Sequence, residues 1–435
     1  MIGKQQLDLL RGRVSAAALV SRALDKCAEH PSIMTLVTEE RACVEAAESD
    51  ARLRAGQARA LEGLPAVYKD LFDIKDHVTT AGSRILANVS PATHDADLVL
   101  RLRNAGAVTL GRTNMTELAF SGLGLNPHFG TPELKDMDGV MLAPGGSSSG
   151  AAAAVAKGIA AISIGTDTSG SIRVPASFWG LVGYKASAGR YPQNGMMALA
   201  PSLDSIGLIA KTVADIRCVD AILSPARSEA EPSRSLVIPD GHLMENLDPH
   251  VSAAFSKTVE RLVDMGFEVS RRSIPEIDAI MQLQKSQGTL VGMEAYRLYG
   301  HLLEARALMD PNVADRLEQS AVISDAAHME FCRTREHLKD RATARLGGAI
   351  LICPTVKCTA PALSEIRTAE AFRQINSRVL LNTMAANLLD WCAVSLPCGQ
   401  TTAGRFIGLM LAAAKDRDLA LLATTTLVEQ TLAID

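Results

Sequence analysis

Apolar residues recur at helical spacing through TEERACVEAAESDARLRAG, residues 38–56, and the run closes at Gly56. Such spacing places a hydrophobic stripe on one helix face, and glycine accepts the backbone that ends it. The next apolar run, LPAVY, is short and unbroken, as in a strand buried on both faces. The same order returns in DADLVLRLRNAG followed by AVTLG, and again in GAAAAVAKG followed by AAISIG and GLVGYK. Further along, TVADIRCVDAILS and PHVSAAFSKTVERLVDMG read as helices on either side of a strand, SLVIP. GAILICP, CAVSLP and FIGLMLAA are the last strand candidates, with DRDLALLATTTLVEQTL as a closing helix. This alternation predicts an α/β fold with a mixed, largely buried central β-sheet covered by helices on both faces.

A polar stretch bracketed by prolines, PARSEAEPSRS at residues 225–235, interrupts the pattern. It reads as a surface loop on one large domain spanning residues 1–435, with a boundary between two lobes as the alternative. A chain of 435 residues with 47% hydrophobic content can bury a large core. Its net charge of −4, with no basic block, argues against nucleic acid or an anionic membrane as partner and leaves small-molecule chemistry. Charges are interleaved with the apolar residues of the N-terminal segment, unlike the core of a signal peptide, and no run of about 18 apolar residues offers a membrane span. Eight cysteines spread over this length do not make a disulfide framework, so a cytoplasmic location is expected.

Two hydroxyl-rich turns change the picture. In GGSSSG, residues 145–150, the positions Gly146, Ser148 and Gly150 satisfy the G-x-S-x-G pattern of a nucleophile elbow, with Ser148 as nucleophile. The competing local reading has Ser148 or Ser149 capping the alanine-rich helix that follows. Twenty residues on, GTDTSGSIRVPASFWG is a second strand that ends in small and hydroxyl residues, and its backbone N–H groups can converge on a developing oxyanion. Upstream, Lys69 ends an apolar strand, where desolvation lowers an amine's pKa toward a neutral base.

Together AVYKD, APGGSSSGAAAAVAKG and GTDTSGSIRVPASFWGLVGYK resemble the three segments of the amidase signature family of serine hydrolases. GRTNMTEL, GLGLNPHFGTP, SLDSIGLIAKTVAD and NLLDWCAVSLPCG resemble its other landmarks, so the likeness covers most of residues 1–430. The resemblance implies a Ser-Ser-Lys triad with Ser171 as nucleophile, Ser147 as bridging serine after a cis Gly146–Ser147 bond, and Lys69 as base. It implies an oxyanion hole from the amides of Thr168, Ser169, Gly170 and Ser171, and substrate contacts at Ser121, Gly122 and Leu123. Ser169 stands where the family most often has glycine, which the hole tolerates provided φ there is not positive. AGRFIGLML replaces a common family strand near the end, which bears on substrate contacts there.

The expected activity is therefore hydrolysis of linear C–N amide bonds with no metal or cofactor, on a small amide or urea-derived substrate. NLLDWCAVSLPCG and GGSSSG lean toward the branch holding allophanate hydrolase. The alternatives are the glutaminase component of a glutamyl-tRNA amidotransferase, which needs partner chains, and a degenerate binding module, against which the filled triad positions argue. A Ser-His-Asp hydrolase stays open through Ser148, and the resemblance suggests a homodimer.

Other candidates carry less. Lys75 reads as a solvated surface lysine, and Arg173 with Asp167 as a structural ion pair rather than a substrate clamp. His328, Cys332 and Glu336 share a helix face and are a conceivable metal cluster, better read as a polar face. Cys353 with Cys358, and Cys392 with Cys398, lack paired zinc spacing. GGSSSG is not followed by Gly-Lys-Ser/Thr, so ATP is not implied.

Overall fold

Short apolar runs become strands because only a sheet buried on both faces can use them. In the computed structural model, which describes residues 1–224 and 230–433, the strands are β1 (Met34–Val37), β2 (Pro65–Lys69), β3 (Val108–Thr113), β4 (Leu134–Lys135) and β5 (Met141–Leu142). There follow β6 (Ile162–Asp167), β7 (Val182–Lys185), β8 (Ser205–Ala210), β9 (Ser235–Pro239) and β10 (Glu268–Arg272). The chain ends with β11 (Ile350–Pro354), β12 (Cys392–Gln400) and β13 (Phe406–Ala413). β4 and β5 pair only with each other; the other eleven form one sheet in the order β1-β3-β2-β6-β8-β7-β12-β13-β11-β9-β10.

The sheet is mixed. β2 runs parallel to β3 and β6, and β9 parallel to β10 and β11, while the centre from β6 to β11 is antiparallel. Every residue of β2, β6, β7, β8 and β11 is buried, which is why these runs lack alternation. Strands after the polar stretch pair into the same sheet; residues 225–229 of that stretch lie outside the described residues.

The alanine-rich helix, Ser149–Ala156, sits against β2, β6 and β8 with all but its last residue buried. A helix enclosed on all sides has no polar stripe to show. Its small side chains let the two hydroxyl-rich turns approach each other, and a Cβ at Gly150 would stand 2.4 Å from the Ile33 carbonyl oxygen. Four helices between β10 and β11, Pro275–Gln287, Leu290–Tyr299, Pro311–Ser320 and Asp325–Leu346, pack Ile280, Met293, Leu317 and Phe331 into a second apolar cluster. This layer also reaches the site described next.

Candidate active site

Lys69 is the last residue of β2, fully buried. Its Nζ donates to Ser147 Oγ at 2.7 Å and to Thr166 Oγ1 at 2.9 Å, and Ser147 Oγ donates to Ser171 Oγ at 3.0 Å. The Gly146–Ser147 peptide bond is cis, as the resemblance implies. Burial drives the Lys69 pKa down to about 7, against the opposing fields of Asp204 and Asp167. An amine so poised holds a large neutral fraction near pH 7, and one line of hydrogen bonds joins it to Ser171.

Asp167 and Arg173 shape the turn around Ser171. The Asp167 carboxylate accepts from the Gly170 amide at 2.8 Å, the Ile172 amide at 3.1 Å and the Arg173 amide at 3.4 Å, and pairs with Arg173 Nη2 at 2.8 Å. Both side chains are fully buried. Burial alone would raise the Asp167 pKa; the Arg173 guanidinium and the hydrogen bonds override it and hold it at about 2. This is the structural ion pair expected from the sequence. Asp167→Ala would strand Arg173 and free these amides, so urea denaturation should show a loss of about 3–5 kcal/mol.

The Gly170 amide needs a correction. Its N–H is already donated to Asp167, so the expected four-amide oxyanion hole loses that donor. Gly170 serves instead by its shape: φ is +134° and a Cβ would stand 2.1 Å from Thr383 Oγ1. Ser169 is not among the residues with positive φ, so a serine fits where the family prefers glycine. Thr383 Oγ1 donates to the Ser169 carbonyl at 2.6 Å, and Thr168 Oγ1 donates to Asp204 at 2.5 Å. Burial raises the Asp204 pKa to about 6, opposed by Thr168 and by the Leu199 and Ala200 amides.

Ser148 is turned elsewhere. Its hydroxyl donates to the Thr166 carbonyl at 3.4 Å, away from the Lys69–Ser147–Ser171 line. Neither Ser148 nor Ser149 caps the helix through its side chain, so the capping reading fails as well. Of the expected substrate contacts, Ser121 and Gly122 line a narrow cavity together with Thr168, Ser169 and Ser171. Asn376 Oδ1 accepts from Ser121 Oγ at 3.0 Å and from the Gly122 amide at 2.7 Å. Leu123 is a correction: it is fully buried in the main apolar cluster and is no part of the cavity wall.

Sequence reasoning missed Thr166, Asp204, Asn376 and Thr383 as supports, and Arg316 in the cavity wall. Asp204 lies within the SLDSIGLIAKTVAD landmark and Thr166 within GTDTSGSIRVPASFWG; Asn376, Thr383 and Arg316 carried no local signal. Lys75 is exposed. His328 lies 3.6 Å from Cys332 Sγ and 3.5 Å from Glu294, while Glu336 is exposed and pairs with Lys339, so that stripe is not assembled into one site. A larger surface groove beside the helix Glu39–Arg54 is lined by Arg41, Glu45, Arg59 and Asp95, whose charges are spent on carboxylate–guanidinium pairs.

With this geometry in place, comparison with known proteins defines the class. Residues 18–422 match the family model described as Amidase. A 2-amino-5-chloromuconic acid deaminase of Comamonas testosteroni is 33% identical, over 93% of this chain and 90% of its own length. One chain of the glutamyl-tRNA(Gln) amidotransferase of Picosynechococcus sp. is 32% identical, over 91% of this chain and 90% of its own length. A crystal structure of an amidase superposes with a TM-score of 0.88 at 31% identity, covering 99% of both chains. The chain belongs to the amidase family. It is an α/β hydrolytic enzyme acting on carbon–nitrogen amide bonds.

Proposed function

We propose that the chain is one amidase domain that hydrolyses a small amide through an acyl-enzyme on Ser171. The observation that carries the reading is the buried hydrogen-bonded line from Lys69 through Ser147 to Ser171. With Lys69 neutral, the hydroxyl rotors reverse, so that Ser147 donates to Nζ and Ser171 donates to Ser147. Ser171 Oγ then attacks the amide carbonyl as its proton passes to Ser147 and the Ser147 proton passes to Lys69. The oxyanion is met by the amides of Ser171, Ser169 and Thr168. Collapse breaks the C–N bond, the relay returns a proton to the leaving nitrogen, and water releases the acid from Ser171.

The allophanate hydrolase lean belongs to this reading and favours a compact, nitrogen-rich substrate. A cytoplasmic homodimer goes with it. A second reading, favoured by the likeness to an amidotransferase chain, has the same site releasing ammonia from glutamine for a partner chain.

The test is ammonia release from glutamine, malonamate, biuret, allophanate and simple aliphatic and aryl amides, with acid quenching and peptide mapping of the trapped acyl group. Turnover of one class with the adduct on Ser171 is expected. Turnover with the adduct on another residue would overturn the mechanism. Turnover of glutamine alone, and only with a co-purifying chain, would favour the second reading.

A further inference from the structure

Gly170 stands between the amides of Ser169 and Ser171, the two donors that flank it in the turn. With φ at +134° and no side chain, it offers little resistance of its own to rotation of the peptide plane before it. That plane carries the Ser169 carbonyl on one edge and the Gly170 N–H on the other. Both edges are held. Thr383 Oγ1 donates to the Ser169 carbonyl at 2.6 Å, and the Gly170 amide donates to Asp167 Oδ1 at 2.8 Å. Asp167 also accepts from the Ile172 and Arg173 amides and passes over that of Ser171. Among the described residues neither the Ser169 nor the Ser171 amide makes a hydrogen bond, so both remain available as donors.

The two anchors trace back to one element. Thr383 and Asn387 are buried one turn apart on the helix Ala369–Leu388 and share a face. Asn387 Nδ2 donates to the Asp167 carbonyl at 2.9 Å and to Asp167 Oδ1 at 3.0 Å, which fixes the carboxylate that takes the Gly170 amide. Thr383 Oγ1 has a second neighbour, the Leu380 carbonyl of its own helix at 3.1 Å, but a hydroxyl has one proton and the shorter contact takes it. Without that hydroxyl the plane is held at one edge only. Any tilt about the bonds at Gly170 then moves the Ser171 amide relative to that of Ser169, and a pair of donors must keep its aim to stabilise a developing oxyanion.

We propose that Thr383 is a positioning residue: by holding the Ser169 carbonyl it locks the Ser169–Gly170 peptide and keeps the Ser169 and Ser171 amides converging on the oxyanion. The proposal rests on the Ser171 reading above.

The experiment compares wild type with Thr383→Ser, which keeps the hydroxyl, and Thr383→Ala, which removes it; valine would press a methyl against the Ser169 carbonyl. On the amide of the panel above that wild type turns over, kcat in Thr383→Ala should fall on the order of 30-fold while KM stays within about twofold, and Thr383→Ser should recover most of the loss. A second readout needs no turnover. Butaneboronic acid, whose tetrahedral adduct on a serine places an oxygen where the oxyanion forms, should protect Ser171 from labelling by phenylmethanesulfonyl fluoride. Protection of Thr383→Ala should take a concentration on the order of 30-fold higher than protection of wild type or Thr383→Ser. Should Thr383→Ala not fold, Thr383→Cys, close in size and a weak donor, replaces it in both readouts. A folded hydroxyl-free variant that matches wild type in kcat and in boronate protection, with only a lower urea midpoint, would make Thr383 a structural hydroxyl and overturn the proposal. A Thr383→Ser as impaired as Thr383→Ala would overturn it too. Absence of labelling at Ser171 in folded wild type would strike the Ser171 reading itself, and the Thr383 role with it.

Discussion

Ser171→Ala should lower amide hydrolysis on the order of 10⁵-fold, while Ser148→Ala keeps most of the wild-type rate. Removing a nucleophile ends the acyl-enzyme route and leaves only what binding and the oxyanion amides contribute. Ser171 is nearly buried, and its hydroxyl receives a hydrogen bond from Ser147 at 3.0 Å, so alanine there costs about 1 kcal/mol of stability. Ser148 makes the informative control. It is one residue from Ser147 and equally buried, but its hydroxyl goes to a backbone carbonyl. Initial rates of ammonia release with matched denaturation curves would separate the two. Full turnover in Ser171→Ala with loss in Ser148→Ala would return the site to a nucleophile elbow and remove the triad assignment.

How far the sequence was legible differs between sheet and site. Runs such as AVTLG, AAISIG and FIGLMLAA read correctly because a strand buried on both faces needs nothing but apolar residues. β10 escaped because EVSRR lies at the edge of the sheet, where its polar and charged side chains face water and discourage pairing with other strand edges. The helices between β10 and β11 escaped because their faces are short and mixed, and only a polar stripe of the last one attracted attention.

Within the site, local pattern pointed to Ser148, and the family resemblance pointed to Ser147 and Ser171. Three adjacent serines are chemically alike as letters. The path of the chain decides which hydroxyl meets Lys69, and that path depends on Gly146, Gly150 and the packing of Ser149–Ala156. Arg316, Asn376 and Thr383 enter from segments far along the chain, so no spacing rule could place them beside Ser171. The Gly170 amide illustrates the opposite error: the residue was named for a donor that Asp167 already occupies.

Lys69→Met should separate catalysis from stability. Loss of the base is expected to reduce kcat/KM on the order of 10³-fold, since a positioned general base contributes roughly 10² to 10⁴. The wild-type pH profile of kcat/KM should rise through about pH 7, because only neutral Lys69 can take the Ser147 proton. That limb should vanish in the variant. Stability should move the other way. Unfolded, the lysine keeps its proton up to about its ordinary value of 10.5; folded, burial lowers the pKa to about 7. The unfolded state therefore binds more protons between these values, stability rises with pH across that window, and below pH 7 the penalty is present in full. A shift of this size corresponds to about 5 kcal/mol. Methionine removes the penalty and fills similar volume, at the loss of the hydrogen bonds to Ser147 and Thr166, each worth about 1 kcal/mol. At about pH 6 the variant should thus be more stable than wild type by roughly 3 kcal/mol in urea denaturation, with the advantage shrinking toward about pH 9. A variant that is both inactive and less stable at that acidic pH would show that Lys69 is held there as a paired structural cation. An inactive but more stable variant would mark a charge kept buried for its chemistry.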